Sequence, residues 1–146
     1  MSGDIETKPS ILFWIIAGLF ILWGLMGCAI YLMEVMPTDE QYAELFGEEL
    51  ASVRHLVPTW GMAGFAIAVW SGLLAAILFI FRKRISVPVF IVSLVAAVIG
   101  FIPSFTISAI RDAGGSFFWL MPLIVVSLGI FEIIFSRKQQ AKGILR

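Results

Sequence analysis

Four stretches of this chain are apolar for long enough to cross a lipid bilayer, and nothing else in the sequence restricts its fold so strongly. A crossing takes about 20 helical residues. Residues 11–33, 59–81, 87–109 and 117–135 each come close to that length or exceed it. The first three hold no charged side chain, and the fourth holds only Glu132. Inside lipid every backbone N–H and C=O needs an internal partner, which leaves helices and closed barrels. Barrel strands alternate apolar and polar residues, whereas these runs are continuously apolar. The expectation is an all-α polytopic membrane protein: one four-helix transmembrane bundle formed by residues 1–146.

Composition excludes the other classes. Hydrophobic residues make up 60% and charged residues 14%, against roughly half and a quarter in soluble domains. Ten basic residues balance ten acidic ones, so a basic nucleic-acid binder is ruled out. The single cysteine, Cys28, permits no internal disulfide. Leu25-Met26-Gly27-Cys28 faintly echoes a lipoprotein cleavage box, but apolar residues continue after it, and a small buried packing role suits Cys28 better.

Proline, glycine and charge punctuate the ends. Pro37 follows the first span and Pro58 precedes the second. Ser86 and Pro88 sit where a helix start places a cap and a first-turn proline. Gly114 and Gly115 separate the last two spans. Pro103 lies inside the third, where it removes a backbone bond and predicts a kink. Lys8, Arg82, Lys83, Arg84, Arg137, Lys138, Lys142 and Arg146 fall on one side, diluted near the start by Asp4 and Glu6, and only Arg54 and Arg111 fall on the other. The positive-inside rule then places both termini in the cytoplasm.

Residues 37–58 form the one sizeable piece outside the spans. Thr38 and Gln41 have the spacing of a capping box. Tyr42, Leu45, Phe46, Leu50 and Val53 recur at helical spacing. Gly47 weakens the pattern by about 1 kcal/mol. The expectation is a short extracytoplasmic amphipathic helix between the first two transmembrane helices, serving as a connector or as a lid or docking surface. Glu34, Asp39, Glu40, Glu44, Glu48 and Glu49 crowd this side and would attract a cation or a basic partner. His55 stands alone, and one imidazole with scattered carboxylates does not make a metal centre. No metal or other cofactor is expected.

Within the spans the most specific pattern is a stripe of small residues. Gly64, Ala68, Gly72 and Ala76 repeat every four residues, and Ala96, Gly100 and Ser104 repeat the device in the third span. Such stripes let a neighbouring helix approach closely, and that neighbour belongs either to the same chain or to a second copy. Trp23 and Trp70 lie at similar depth near the centres of the first two spans. They are either packing residues or, with Ser71, the wall of a flat pocket for a ligand. Glu132 lies inside the fourth span on the side of Arg82 and Arg84, which suggests a structural ion pair or, less simply, a coupling group. A Gly-rich phosphate loop, a cysteine-pair metal motif and a Ser/His/Asp grouping are all missing.

Pro58-Thr59-Trp60, the run from Gly64 through Trp70 to Gly72, Phe81-Arg82-Lys83-Arg84 and Val87-Pro88-Val89-Phe90 together resemble a group of small four-span bacterial inner-membrane proteins. Its members usually read Pro-Ala-Trp where Thr59 stands here, and they often carry the label "sugar transporter". The resemblance implies a bacterial inner membrane and transfers no functional residue. The expected role is that of a non-enzymatic accessory or structural subunit, surrounded by lipid and packed on itself as a homo-oligomer or on a larger complex. The alternative is a small dimeric transporter or binder of a sugar-like, lipid-like or quinone-like solute.

Overall fold

The computed structural model describes residues 7–146, so Asp4 and Glu6 lie outside the described residues. Among those described there are helices and no strands. Helix α1 spans Ile11–Val35, α2 Asp39–Phe46 and α3 Glu48–Val53, followed by a single 3-10 turn over Arg54–Leu56. Helix α4 spans Thr59–Ile80, α5 Ser86–Thr106, α6 Ser108–Gly114 and α7 Phe117–Ala141. The four long helices, α1, α4, α5 and α7, are each apolar and long enough to cross a membrane, and the protein is a four-helix membrane bundle.

Packing follows chain order. The most extensive interface joins α4 to α5; α1 lies against α4, and α7 against α5. Only 11% of the most apolar stretch of α7 is buried, against 28% in each of the other three. Helix α7 is therefore the peripheral member. The start of α1, the α4–α5 turn and the C-terminal tail gather at one end, the basic end. The short helices gather at the opposite, acidic end.

The helix ends depart from the apolar runs for local reasons. Ser10 caps α1 by accepting the Phe13 N–H at 3.3 Å. The capping box of α2 forms as its spacing predicts, with Thr38 and Gln41 bonded reciprocally at 3.3 and 3.0 Å. At Gly47 the backbone takes φ +95°, so the expected single amphipathic helix is two helices, α2 and α3. Ser86 does not act as a cap; it is the first residue of α5, its hydroxyl fully buried and without a partner among the described residues. Helix α5 passes through Pro103 and stops at Thr106, where Ile107 turns extended. Helix α7 continues beyond residue 135 through the polar stretch to Ala141.

Two features close the basic half. Phenylalanines from all four spans meet there: Phe20 of α1 lies 5.3 Å from Phe79 of α4, 5.5 Å from Phe90 of α5 and 6.1 Å from Phe135 of α7. Beneath them the tail folds back into the bundle, so that Leu145 is 0% exposed. Arg146 donates its backbone N–H to the Arg82 carbonyl at 2.7 Å and accepts from the Arg84 N–H at 3.0 Å. Arg82 holds φ +62°, a conformation disfavoured for a side chain. Bonds from its guanidinium to the Ile144 and Thr7 carbonyls hold it there.

Candidate functional site

The small-residue stripes face each other within the chain. A Cβ added at Gly64 would lie 3.0 Å from the Gly100 nitrogen and 3.1 Å from the Ala96 carbonyl oxygen. One at Gly72 would lie 2.9 Å from Ser93 Oγ. Ala68, Ala76 and Ala96 are buried, while Ser104 is half-buried near the far end of α5. The close helix approach that these residues permit is used between α4 and α5. The α1–α4 interface uses a second set: Gly24 against Leu73, Gly27 against Val69, and the Cys28 thiol bonded to the Val69 carbonyl at 3.4 Å.

The two central tryptophans do not share a pocket. Trp70 is 47% exposed on the outside of α4, edge-on to Tyr31 at 6.5 Å. Ser71 turns its hydroxyl back onto the Ile67 carbonyl of its own helix. Trp70 lies on the face of α4 opposite the stripe of Gly64, Ala68, Gly72 and Ala76, so the stripe that packs on α5 already turns it outward, and equal depth did not mean equal direction. Trp23 points the other way, into a small cleft with residues of α5 and α7.

That cleft is the candidate site. Its floor is α5, with Phe90, Ser93, Leu94 and Ala97; its walls are Trp23 of α1 and Val125, Gly129 and Glu132 of α7. The walls do not approach closely along their length; their ring contacts are those of Phe20 with Phe131 and Phe135, both at 6.1 Å. The void measures about 30 Å³, enough for one water-sized group. Ser93 Oγ donates to the Ala68 carbonyl at 2.7 Å, which leaves its lone pairs free to accept.

Glu132 is the unusual member. It is 8% exposed, and among the described residues no hydrogen bond or ion pair reaches it. The expected ion pair with Arg82 and Arg84 is absent. Glu132 lies at the level of Phe90 and Ser93, about two turns into α5 at 1.5 Å per residue. The arginines sit at the bundle end and spend their Nε–H donors on the Ile144 and Leu145 carbonyls, at 3.0 and 3.4 Å. An unpaired buried charge costs several kcal/mol, so the carboxyl here keeps its proton and stays neutral unless a cation or donor reaches it.

The acidic end is self-contained by comparison. Arg54 donates to the Glu34 carbonyl at 2.7 Å, to the Pro37 carbonyl at 3.1 Å and to Asp39 at 3.1 Å, and stands 4.6 Å over the Tyr42 ring. Tyr42 donates to Glu34 at 3.1 Å. Burial, and then the charge and hydrogen bond of Glu34, push the Tyr42 phenol above its ordinary value, against the opposing pull of Arg54. Helix α3 continues the strap across to α6. His55 is exposed, and among the described residues no three potential ligands gather as a metal site.

Comparison with protein-family models, with curated proteins and with solved structures finds no match.

Proposed function

We propose that the protein is a non-enzymatic accessory subunit of a membrane complex, resident in a bacterial inner membrane with both termini in the cytoplasm. The observation that carries this reading is Glu132, a buried carboxyl with no partner among the described residues, facing a cleft between two helices that do not close on each other. The packing motifs of α4 and α5 are already satisfied internally, which leaves the α1–α7 side for a neighbour. The concentration of basic residues at the end that holds the tail supports the orientation. A reporter fused after Arg146 and found on the outer surface would overturn that orientation.

Isolation from native membranes in mild detergent tests the role. The expected result is a stoichiometric partner or a stable oligomer, cross-linked through photoreactive groups at Leu123 or Ile130 on the exposed side of α7. Recovery as a solitary monomer with no cross-links refutes it.

A second reading, a small dimeric transporter, draws on the same carboxyl, because buried ionisable groups in membranes mark ion-coupled pathways. The chain's own cleft, at about 30 Å³, encloses no site for a sugar-like or quinone-like solute by itself, and the phenylalanine cluster and the tail fill the basic half, so such a pathway would have to form between two copies. Solute uptake into proteoliposomes that disappears with Glu132→Gln would establish the transporter instead.

A further inference from the structure

We infer that the α1–α7 cleft receives the ammonium group of a lysine carried on a transmembrane helix of the partner. The inference rests on the accessory-subunit reading above and names the chemistry of its contact. Three features of the cleft converge on a primary ammonium. Its void of about 30 Å³ admits one water-sized group, and an ammonium is of that size, whereas a planar guanidinium is larger. Its acceptors match: the two Glu132 carboxylate oxygens, which no group among the described residues engages. An ammonium brings three N–H donors and no acceptor. Its walls include the Trp23 indole, and an aromatic ring attracts a cation.

Other cations fit less well. A bare metal ion takes about six oxygen ligands, and the cleft offers Glu132 and Ser93 alone among its lining residues. Lipid ethanolamine also ends in an ammonium, but it belongs at the bilayer surface, and the cleft lies about two helical turns in from the end of the bundle. A lysine on a neighbouring helix reaches that depth from the side, with its methylene stem lying along the apolar walls.

The test uses the full chain, fluorophore-labelled at its N-terminus, in phosphatidylcholine vesicles, which contain no primary ammonium. The probe is an acceptor-labelled polyleucine helix of about 20 residues carrying one lysine at the depth of Glu132, or norleucine in its place. Energy transfer should show at least tenfold tighter association for the lysine helix. Glu132→Gln, which keeps the shape and removes the charge, should abolish that preference, and an arginine helix should fall below the lysine helix. Equal transfer with lysine and norleucine overturns the inference, and so does a lysine preference that survives in Glu132→Gln. The wild-type comparison needs no variant, so it decides the matter even if the substituted chain fails to fold. If replacing phosphatidylcholine by phosphatidylethanolamine abolishes association, the site belongs to a lipid headgroup, and the inference also falls. A native partner recovered equally by wild type and Glu132→Gln leaves the accessory reading standing without this contact. A lysine preference in vesicles with no partner in native membranes leaves the contact chemistry standing and removes the accessory reading.

Discussion

Gly64→Ala adds one methyl group where α4 crosses α5, and its cost can be worked from the distances there. The new Cβ would meet the Gly100 nitrogen at 3.0 Å, the Ala96 carbonyl oxygen at 3.1 Å and the Gly100 Cα at 3.1 Å, where ordinary contact begins at 3.4 Å. All three atoms are backbone, so no side chain can swing aside, and α4 and α5 must part by a few tenths of an ångström. Overpacking of this kind costs about 1–3 kcal/mol. Alanine returns up to about 1 kcal/mol through its better helix propensity, so the expected net loss is up to about 2 kcal/mol. Gly18→Ala is the matched control. Nothing lies within 4 Å of its added Cβ, so only the propensity gain of about 0.5–1 kcal/mol remains, and the sign reverses. Gly100→Ala presses on the same crossing, at 3.0 Å from the Phe65 nitrogen. Once the helices have parted, the second methyl costs less, and the double variant loses less than the two single losses added together. Reversible unfolding in mixed micelles by titration with sodium dodecyl sulfate, followed by circular dichroism, measures all four proteins. Equal shifts for Gly18→Ala and Gly64→Ala would refute the assignment of the small-residue stripes to the α4–α5 contact.

Arg54→Ala should release the strap at the acidic end, seen as faster proteolysis within residues 37–58, and Arg54→Lys should not restore it, because a lysine cannot reproduce the guanidinium fork; unchanged cleavage in the alanine variant would contradict this. Leu145→Ala removes a fully buried side chain and should cost about 2–5 kcal/mol in the same micelle assay; a neutral result would mean that the tail does not dock. In a Tyr31→Phe background, Tyr42 should form tyrosinate only above the ordinary value of about 10, since burial and Glu34 both raise it. The sign is that of a raised acid: the associated stability is complete below about pH 10 and is lost as pH climbs beyond it. Glu34→Gln should move the absorbance midpoint downward, and a Tyr42 midpoint at the ordinary value in the unsubstituted strap would disprove the burial.

The spans were legible because lipid imposes the same demand on every residue between its faces. For the same reason their helical ends were not. Residues 136–141 are polar yet helical, since α7 continues out of the apolar slab, and Ile107 is apolar yet extended. Small residues at four-residue spacing marked a crossing, and the α4–α5 interface supplies it. Depth alone made Trp23 and Trp70 read alike, yet one faces the cleft while the other faces outward; the stripe on α4 held the direction of Trp70, which lies opposite it, and α1 has no comparable stripe to orient Trp23. The phenylalanine cluster had no signature among thirteen phenylalanines spread over apolar runs. Ile144 and Leu145 were hidden inside a basic tail, where two apolar residues are too few to announce a core. Glu132 stood out as a carboxylate in greasy company, but the sequence paired it with arginines that the turn had already engaged.

The linear packing order, α1 on α4, α4 on α5, α5 on α7, bears on how the chain is made. Helices α4 and α5 are joined by five residues, 81–85, and can pair as a hairpin while the ribosome is still adding the last two helices. Helix α7 emerges after that hairpin, leans chiefly on α5, and must carry a carboxylate through the translocon into oil. The helix that follows the hairpin is thus the one the rest of the bundle supports least, and it is the one that carries the carboxylate.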